Sequence, residues 1–328
     1  MRRSTFVVSL MVAALPAAAG GFGSSQGGTS GGAFLKLGAD ARAAGMGGAV
    51  RAAVDDATAI YWNPAGLAGL RYRHATMTHG ASYQSTFQNF IAYAQPVESP
   101  FVRQNERERD LRQDPLGTLG FAVLYQNSGN ISAVDNTATA TGERITPQDL
   151  AILLAYGATI SHGLDVGIGL KYVTSKIQGV ASTGAVDLGA RWRTWLPGDF
   201  PYALSLSVQN IGGRLKFHEF GDPLPTIITL GQALKIIKGL IVTLDLNAPR
   251  DLSAYPSFGL EWRVPMKQGI SSALRAGYDG RLNGNDSSAI TGISFGAGLG
   301  LQRLGFDYGW SPSGGLGSAH KLSLSYRF

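Results

Sequence analysis

Few residues of this chain are spaced for chemistry. Gly45-Met46-Gly47-Gly48 has the glycine density of a phosphate-cradling loop, yet no strand pattern leads into it and no Lys-Ser/Thr pair follows. The five histidines, His74, His79, His162, His218 and His320, lie too far apart for metal-ligand spacing. Asp55-Asp56 reads better as a helix cap than as a ligand pair, because a carboxylate just before a helical turn accepts its free backbone N–H groups. No strand-turn-helix nucleophile elbow stands out, so nothing points to acyl transfer. The chemistry-bearing residues thus predict no enzyme, no metal and no cofactor. Function has to be sought in the elements that hold them.

The composition narrows those elements. Of 328 residues 15 % are charged, 45 are glycine and none is cysteine, and mean hydropathy is close to zero. This blend suits neither a disordered chain nor a helical membrane protein, and leans toward β structure. Met1-Arg2-Arg3, the apolar run Phe6 to Leu15 and Ala17-Ala18-Ala19 have the order of a secretory signal, so residues 1–19 are expected to be removed on export. No later stretch offers 18 consecutive apolar residues, so no helix is expected to span a membrane. Without cysteine there is neither a disulfide nor a lipid-bearing N-terminal cysteine. The net charge of +6 is spread along the chain, which suits wet loops and a wet lumen and argues against nucleic acid as a partner.

From about residue 72 onward, short alternating runs are separated by Gly, Pro, Asn, Asp and Ser, the pattern of consecutive antiparallel hairpins. Leu164, Val166, Ile168, Leu170 and Tyr172 share one face, and Asp165, Gly167, Gly169 and Lys171 the other. Val186, Leu188, Ala190 and Trp192 oppose Asp187, Gly189, Arg191 and Arg193 in the same way. A soluble sandwich also needs one apolar face per strand. Here the second face is small or charged, which suits the wet interior of a closed barrel with lipid outside. Aromatic residues fall into two girdles: Tyr172, Tyr278 and Trp310 toward extracellular ends, and Trp192, Tyr202, Trp262, Tyr326 and Phe328 toward periplasmic ends.

The runs number about fourteen, an even count as single-chain bacterial barrels require. They fall at 72–81, 86–97, 116–129, 148–162, 163–176, 182–196, 200–211, 225–237, 239–248, 254–265, 271–280, 288–301, 303–311 and 319–328. His162-Gly163, Pro197-Gly198 and Lys238-Gly239 make tight periplasmic turns, and 130–147 and 212–224 extracellular loops. The link 98–115, with Arg103, Glu106, Arg107, Glu108, Arg109, Asp110 and Arg112, falls on the periplasmic side and reads as a solvated connector. The organisation expected is therefore a signal over 1–19, an N-terminal plug over 20–71 and an all-β transmembrane barrel over 72–328.

The plug segment carries the most specific motifs. They are the run at 38–49 containing Ala41-Arg42-Ala43-Ala44-Gly45-Met46-Gly47-Gly48-Ala49, then Asp55-Asp56-Ala57-Thr58-Ala59-Ile60-Tyr61-Trp62-Asn63-Pro64-Ala65-Gly66-Leu67, and later Gln209-Asn210-Ile211-Gly212. Asn63-Pro64 can begin a helical turn, since Asn accepts backbone N–H bonds and Pro has no donor to waste there. Together these runs closely resemble the PorV/PorQ family, outer-membrane barrels related to the FadL type of long-chain fatty-acid transporter. The resemblance implies a fourteen-stranded barrel with the N-terminal segment inside, and makes Gly45, Gly47, Gly48, Asp55, Asp56, Asn63, Pro64 and Ala65 plug residues. It also implies two different roles. In FadL-type proteins the plug moves and a hydrophobic small molecule leaves sideways through a gap in the wall; Gly117 and Gly120 could mark such a bent third strand. In PorV-like proteins of type IX secretion the barrel holds exported cargo and hands it to secretion-machine proteins. The ending Leu322-Ser323-Leu324-Ser325-Tyr326-Arg327-Phe328 resembles the C-terminal signal read by the barrel-assembly machinery, with Tyr326 and Phe328 as its aromatic positions. The cell outer membrane and its lipid are the expected setting.

Overall fold

The computed structural model describes residues 28–97, 116–134, 137, 139–217, 219–282, 291–312 and 317–328. The expected signal at 1–19 and the charged link at 98–115 lie outside the described residues.

Fourteen antiparallel strands close into one barrel in chain order. β1 (His74–Ala81), β2 (Phe87–Val97), β3 (Gly117–Asn127), β4 (Gln148–Ser161) and β5 (Leu164–Lys176) form one side. β6 (Val180–Leu196), β7 (Phe200–Gly212), β8 (Ile227–Ile237) and β9 (Leu240–Pro249) continue it. β10 (Tyr255–Pro265), β11 (Ile270–Asp279), β12 (Ile293–Leu301), β13 (Leu304–Pro312) and β14 (Ser318–Arg327) complete the circuit. β14 pairs with β1 from His74↔Arg327 to Ala81↔His320, so no edge is left open.

The alternation read from sequence becomes the inside and outside of the wall. On β5, Asp165, Lys171, Val173 and Ser175 are buried, while Leu170 is 55 % and Tyr172 52 % exposed. On β6, Asp187 and Arg191 are buried and Trp192 is 49 % exposed. Large apolar side chains therefore cover the outer surface, and small or charged ones line the interior, as a bilayer requires. At one rim the links are as short as 162–163, 238–239 and 302–303. At the other, two of the links carry hairpins of their own, Ile131–Val134 with Ala140–Ile145 and Arg214–Lys216 with Gly221–Pro223. Short turns mark the periplasmic rim and longer loops the extracellular one.

Two features of the wall differ from the sequence expectation. β3 keeps unbroken register with β2 and with β4, from Val97↔Gly117 and Gly157↔Thr118 to the pairs of Asn127, so no lateral gap opens at Gly117 or Gly120. Gly120 instead makes room for the Ile60 side chain, which reaches it from the lumen. The register shifts between β6 and β7, where Gln209 and Asn210 together oppose Asp187 and Asn210 takes φ 58°. Alternation cannot reveal such a bulge, because Gln209 still falls on the inner face.

Candidate functional site

The lumen is filled by residues 28–73. A 3-10 turn (Ala33–Lys36), helix α1 (Ala41–Gly45), helix α2 (Ala59–Trp62) and a second 3-10 turn (Pro64–Gly69) follow one another there. None is long enough to be stable alone. Each is fixed by caps and by the wall.

Asp40 starts α1, its Oδ1 accepting from the Ala43 N–H at 2.8 Å and its Oδ2 from Trp62 Nε1 at 2.6 Å. Gly47 and Gly48, at φ 62° and 75°, turn the chain back at its end, and the Gly48 N–H donates to the Ala43 carbonyl. Gly45 lies so close to β12 that a Cβ on it would stand 2.8 Å from Gly296 Cα. Of the two candidate caps at 55–56, Asp56 accepts from the Thr58 N–H at 2.8 Å, just ahead of α2. Asp55 turns instead to Arg42 Nη1 at 2.9 Å. Asn63 Oδ1 accepts from the Ala65 N–H at 3.1 Å and opens the second 3-10 turn with Pro64 at its first position.

The wall was shaped for this segment. A Cβ on Gly157 would stand 2.5 Å from the Pro64 carbonyl oxygen, and one on Gly167 or Gly189 would fall within the space of Pro64 or Asn63. The glycines that interrupt the inner faces of β4, β5 and β6 are thus the cradle of Asn63-Pro64-Ala65. Buried charge fixes the other flank. Arg42 forks onto Glu261 of β10 with Nε and Nη2 at 2.9 and 3.0 Å, and Arg275 of β11 reaches the same carboxylate at 2.7 Å. Arg51 Nη1 meets Asp245 of β9 at 3.2 Å, and its Nη2 donates to Gln209 Oε1 at 3.2 Å. Lys321 of β14 donates to the carbonyls of Leu37 and Gly38. Lys36 meets Asp251 in the β9–β10 loop at 2.5 Å.

The motif Gln209-Asn210 sits at the bulge for a reason its letters did not show. Gln209 Nε2 donates to the Tyr61 carbonyl. Asn210 accepts from Lys171 Nζ at 2.7 Å, while its N–H donates to Asp187 Oδ1 at 2.7 Å. One strand irregularity therefore joins a buried ion pair of the wall, Lys171–Asp187 at 2.7 Å, to the segment inside.

Above the segment, toward the extracellular rim, lies a cavity of about 350 Å³. Leu35, Tyr61, Trp62, Phe87 and Tyr255 give it apolar walls, and Asp40, Arg51, Arg281 and Lys321 charged ones. The Tyr61 hydroxyl accepts from the Gly38 N–H and donates to the Leu35 carbonyl at 2.7 Å; burial pushes its pKa up to about 12, so it keeps its proton. Among the described residues no cluster of three or more His, Cys, Asp or Glu is placed to hold a metal ion. His74 caps the Ala57 N–H, His79 and His320 face outward on Asn89 and Tyr308, and His218 lies outside the described residues. Residues 28–32, Gly-Thr-Ser-Gly-Gly, do have the spacing of a nucleophile elbow, which the sequence reading passed over. Ser30 Oγ is buried without a hydrogen-bond partner among the described residues, so none of them is placed as its base.

The comparisons with known proteins bear on this arrangement. A family model described as Type IX secretion system protein PorV matches residues 24–247, from the segment in the lumen through most of β9. The chain belongs to the PorV family. No curated protein matches it. Solved structures similar to this PorV-family chain include the toluene transporter TbuX of Ralstonia pickettii, at 11 % identity and a TM-score of 0.57, over 90 % of this chain and all of that one. The toluene transporter TodX of Pseudomonas putida matches at 10 % identity and a TM-score of 0.57, over 89 % of this chain and 99 % of that one. A Pseudomonas aeruginosa FadL homologue matches at 10 % identity and a TM-score of 0.50, over 88 % and 98 %. These likenesses establish the FadL-like outer-membrane barrel fold and nothing of substrate.

The residues missed by sequence reasoning are the charged partners of the segment. Arg42 stands inside the family motif, but Glu261 is 219 positions away, and only its place on an otherwise small inner face, with Ser257 and Gly259, hints at a partner.

Proposed function

We propose that this PorV-family barrel is a scaffold that holds exported cargo and passes it on in type IX-like secretion, with residues 28–71 acting as a fixed plug. The observation that carries the reading is the joining of that segment to the wall on both flanks, by glycine cradles on one and by Arg42–Glu261 and Arg51–Asp245 on the other, inside a wall with no lateral gap at β3. A solute channel needs a path, and breaking a buried ion pair to open one costs on the order of 3–5 kcal/mol. Cargo held at the outer surface needs no such opening. Gly45, Gly47, Gly48, Asp55, Asp56, Asn63, Pro64 and Ala65 serve as plug residues through the hydrogen bonds, the Asp55–Arg42 pair and the close approaches described above. Tyr326 and Phe328, edge to face at 4.8 Å, are the aromatic ending offered to the assembly machinery.

The second reading, uptake of hydrophobic small molecules as by the toluene transporters of like fold, is favoured by the apolar walls of the cavity. A disulfide lock separates the two. Gly31 and Asp222 are adjacent, a Cβ on Gly31 standing 3.2 Å from that of Asp222, and the chain has no other cysteine to interfere. The doubly substituted chain, Gly31→Cys with Asp222→Cys, is oxidised in cells and assayed for surface delivery of secreted proteins. Undiminished delivery with the lock closed is expected for a scaffold. Delivery that stops on oxidation and returns on reduction sinks the fixed-plug reading. Recovery of bound apolar molecules and no protein partner, on purification from the native membrane, favours the channel.

A further inference from the structure

The net positive charge is dispersed along the sequence, but the fold gathers much of it at one rim. Lys238, Lys267 and Arg303 stand exposed on three periplasmic turns, and Lys235 and Arg327 at neighbouring strand ends. None of these five forms an ion pair among the described residues. Arg193 and Arg263 lie at the same level, and each shares a carboxylate, Asp165 or Glu261, that another arginine already holds. Among the described residues the exposed acids of this rim are Asp55 and Asp199, and Asp55 is taken by Arg42. The extracellular rim is mixed, with Arg144, Lys176, Arg214 and Lys216 exposed beside Glu143, Glu219 and Asp222.

The placement of these cations says what they face. By strand alternation Arg193 follows the buried Arg191, Lys235 follows Ala233, Arg263 follows Glu261, and Arg327 continues the inward row of Lys321 and Ser323. All four therefore edge the lumen, around a mouth closed by the segment inside. Lipid headgroups meet the outer perimeter of a barrel, where only the turn residues reach them. An anion that engages the four at once has to cover the mouth.

We propose that the periplasmic mouth of this barrel docks an acidic protein segment, recognised by the ring of Arg193, Lys235, Arg263 and Arg327. Charge complementarity of this kind speeds encounter and sets orientation, and it weakens steeply with salt. The proposal is independent of whether the barrel holds cargo or passes a solute, since it concerns only the periplasmic face.

The test uses the full mature protein in nanodiscs of neutral lipid and a labelled oligoglutamate peptide as probe. Binding is expected at low salt, with affinity falling about tenfold in Lys235→Gln with Arg327→Gln, two residues outside the buried ion pairs. The set Lys238→Gln, Lys267→Gln and Arg303→Gln is expected to have the smaller effect. Retained heat-modifiable migration on gels verifies that each variant is folded. Equal binding by the mouth variant and the unaltered protein overturns the proposal. So does a response confined to the turn set and to phosphatidylglycerol in vesicles, which makes the rim a lipid contact.

Discussion

The two flanks of the segment inside the barrel are held by different physics. Residues 57–70 contain no charged side chain, and they lie on β3 to β6, where Gly157 and Gly167 leave room for the Pro64 backbone, Gly120 for the Ile60 side chain and Gly189 for that of Asn63. Residues 36–56 contain Lys36, Asp40, Arg42, Arg51, Asp55 and Asp56, and they answer charges on β9 to β14 and the loop after β9. The first flank is selected chiefly by volume, whereas the second adds electrostatics to the same kind of fit, since Gly259, Gly277, Gly296 and Gly309 also make room for residues 41–47. Close packing is unforgiving of added atoms, whereas a buried ion pair is unforgiving of a missing partner.

The contrast can be broken from the charged side first. Glu261→Ala leaves Arg42, Arg263 and Arg275 around an empty place. A loss of about 3–5 kcal/mol is expected, read as a lower urea midpoint for the detergent-folded barrel; a midpoint within error of the parent shows that water screens the site. On the uncharged side, Gly167→Val pushes into the Pro64 backbone, at an expected cost of about 1–3 kcal/mol. The wall should remain folded, so limited proteolysis is the readout: new cleavage between residues 49 and 70 with intact barrel migration is expected, and unchanged protection contradicts the cradle. The smallest effect is expected at the cap between the flanks. Asn63→Ala removes the bond to the Ala65 N–H and the one from Nδ2 to the Arg51 carbonyl, for about 1 kcal/mol. Asn63→Asp, which keeps the acceptor but sets a carboxylate oxygen against the Arg51 carbonyl in a fully buried place, should fall below Asn63→Ala in the same urea titration.

The barrel was largely legible because its rule is local. One residue in two faces lipid, so Leu164 to Tyr172 and Val186 to Trp192 announce their strands without reference to any other part of the chain, and observed strand ends fall within a few residues of those expected. Turn chemistry is equally local, as Asn63-Pro64 shows. What stayed hidden depends on distant positions. Asp55 and Asp56 look alike in sequence, yet Asp56 accepts from the Thr58 N–H while Asp55 takes the closer contact to Arg42, a choice made by the fold of the segment. The small inner faces were legible as the interior of a barrel, but which glycine meets which plug residue follows only from closure. The basic mouth escaped notice because strands far apart in the chain bring its residues together at one level.

The pairing of β1 with β14 sets a timetable. It joins Ala75 to Tyr326, and the segment that lies inside touches that last strand through Ala41 and Gly38. The segment is made first and the closing seam last, and close packing against Gly157, Gly167 and Gly296 leaves no slack for threading it in through a finished ring. On this packing the wall is expected to wrap a guest already in position, with the plug as the mandrel on which the barrel is wound. Loop closure over such a span is slow, and a chain cut before β14 is expected to be an open trough whose residues 41–48 remain cleavable by protease until the final strand is supplied.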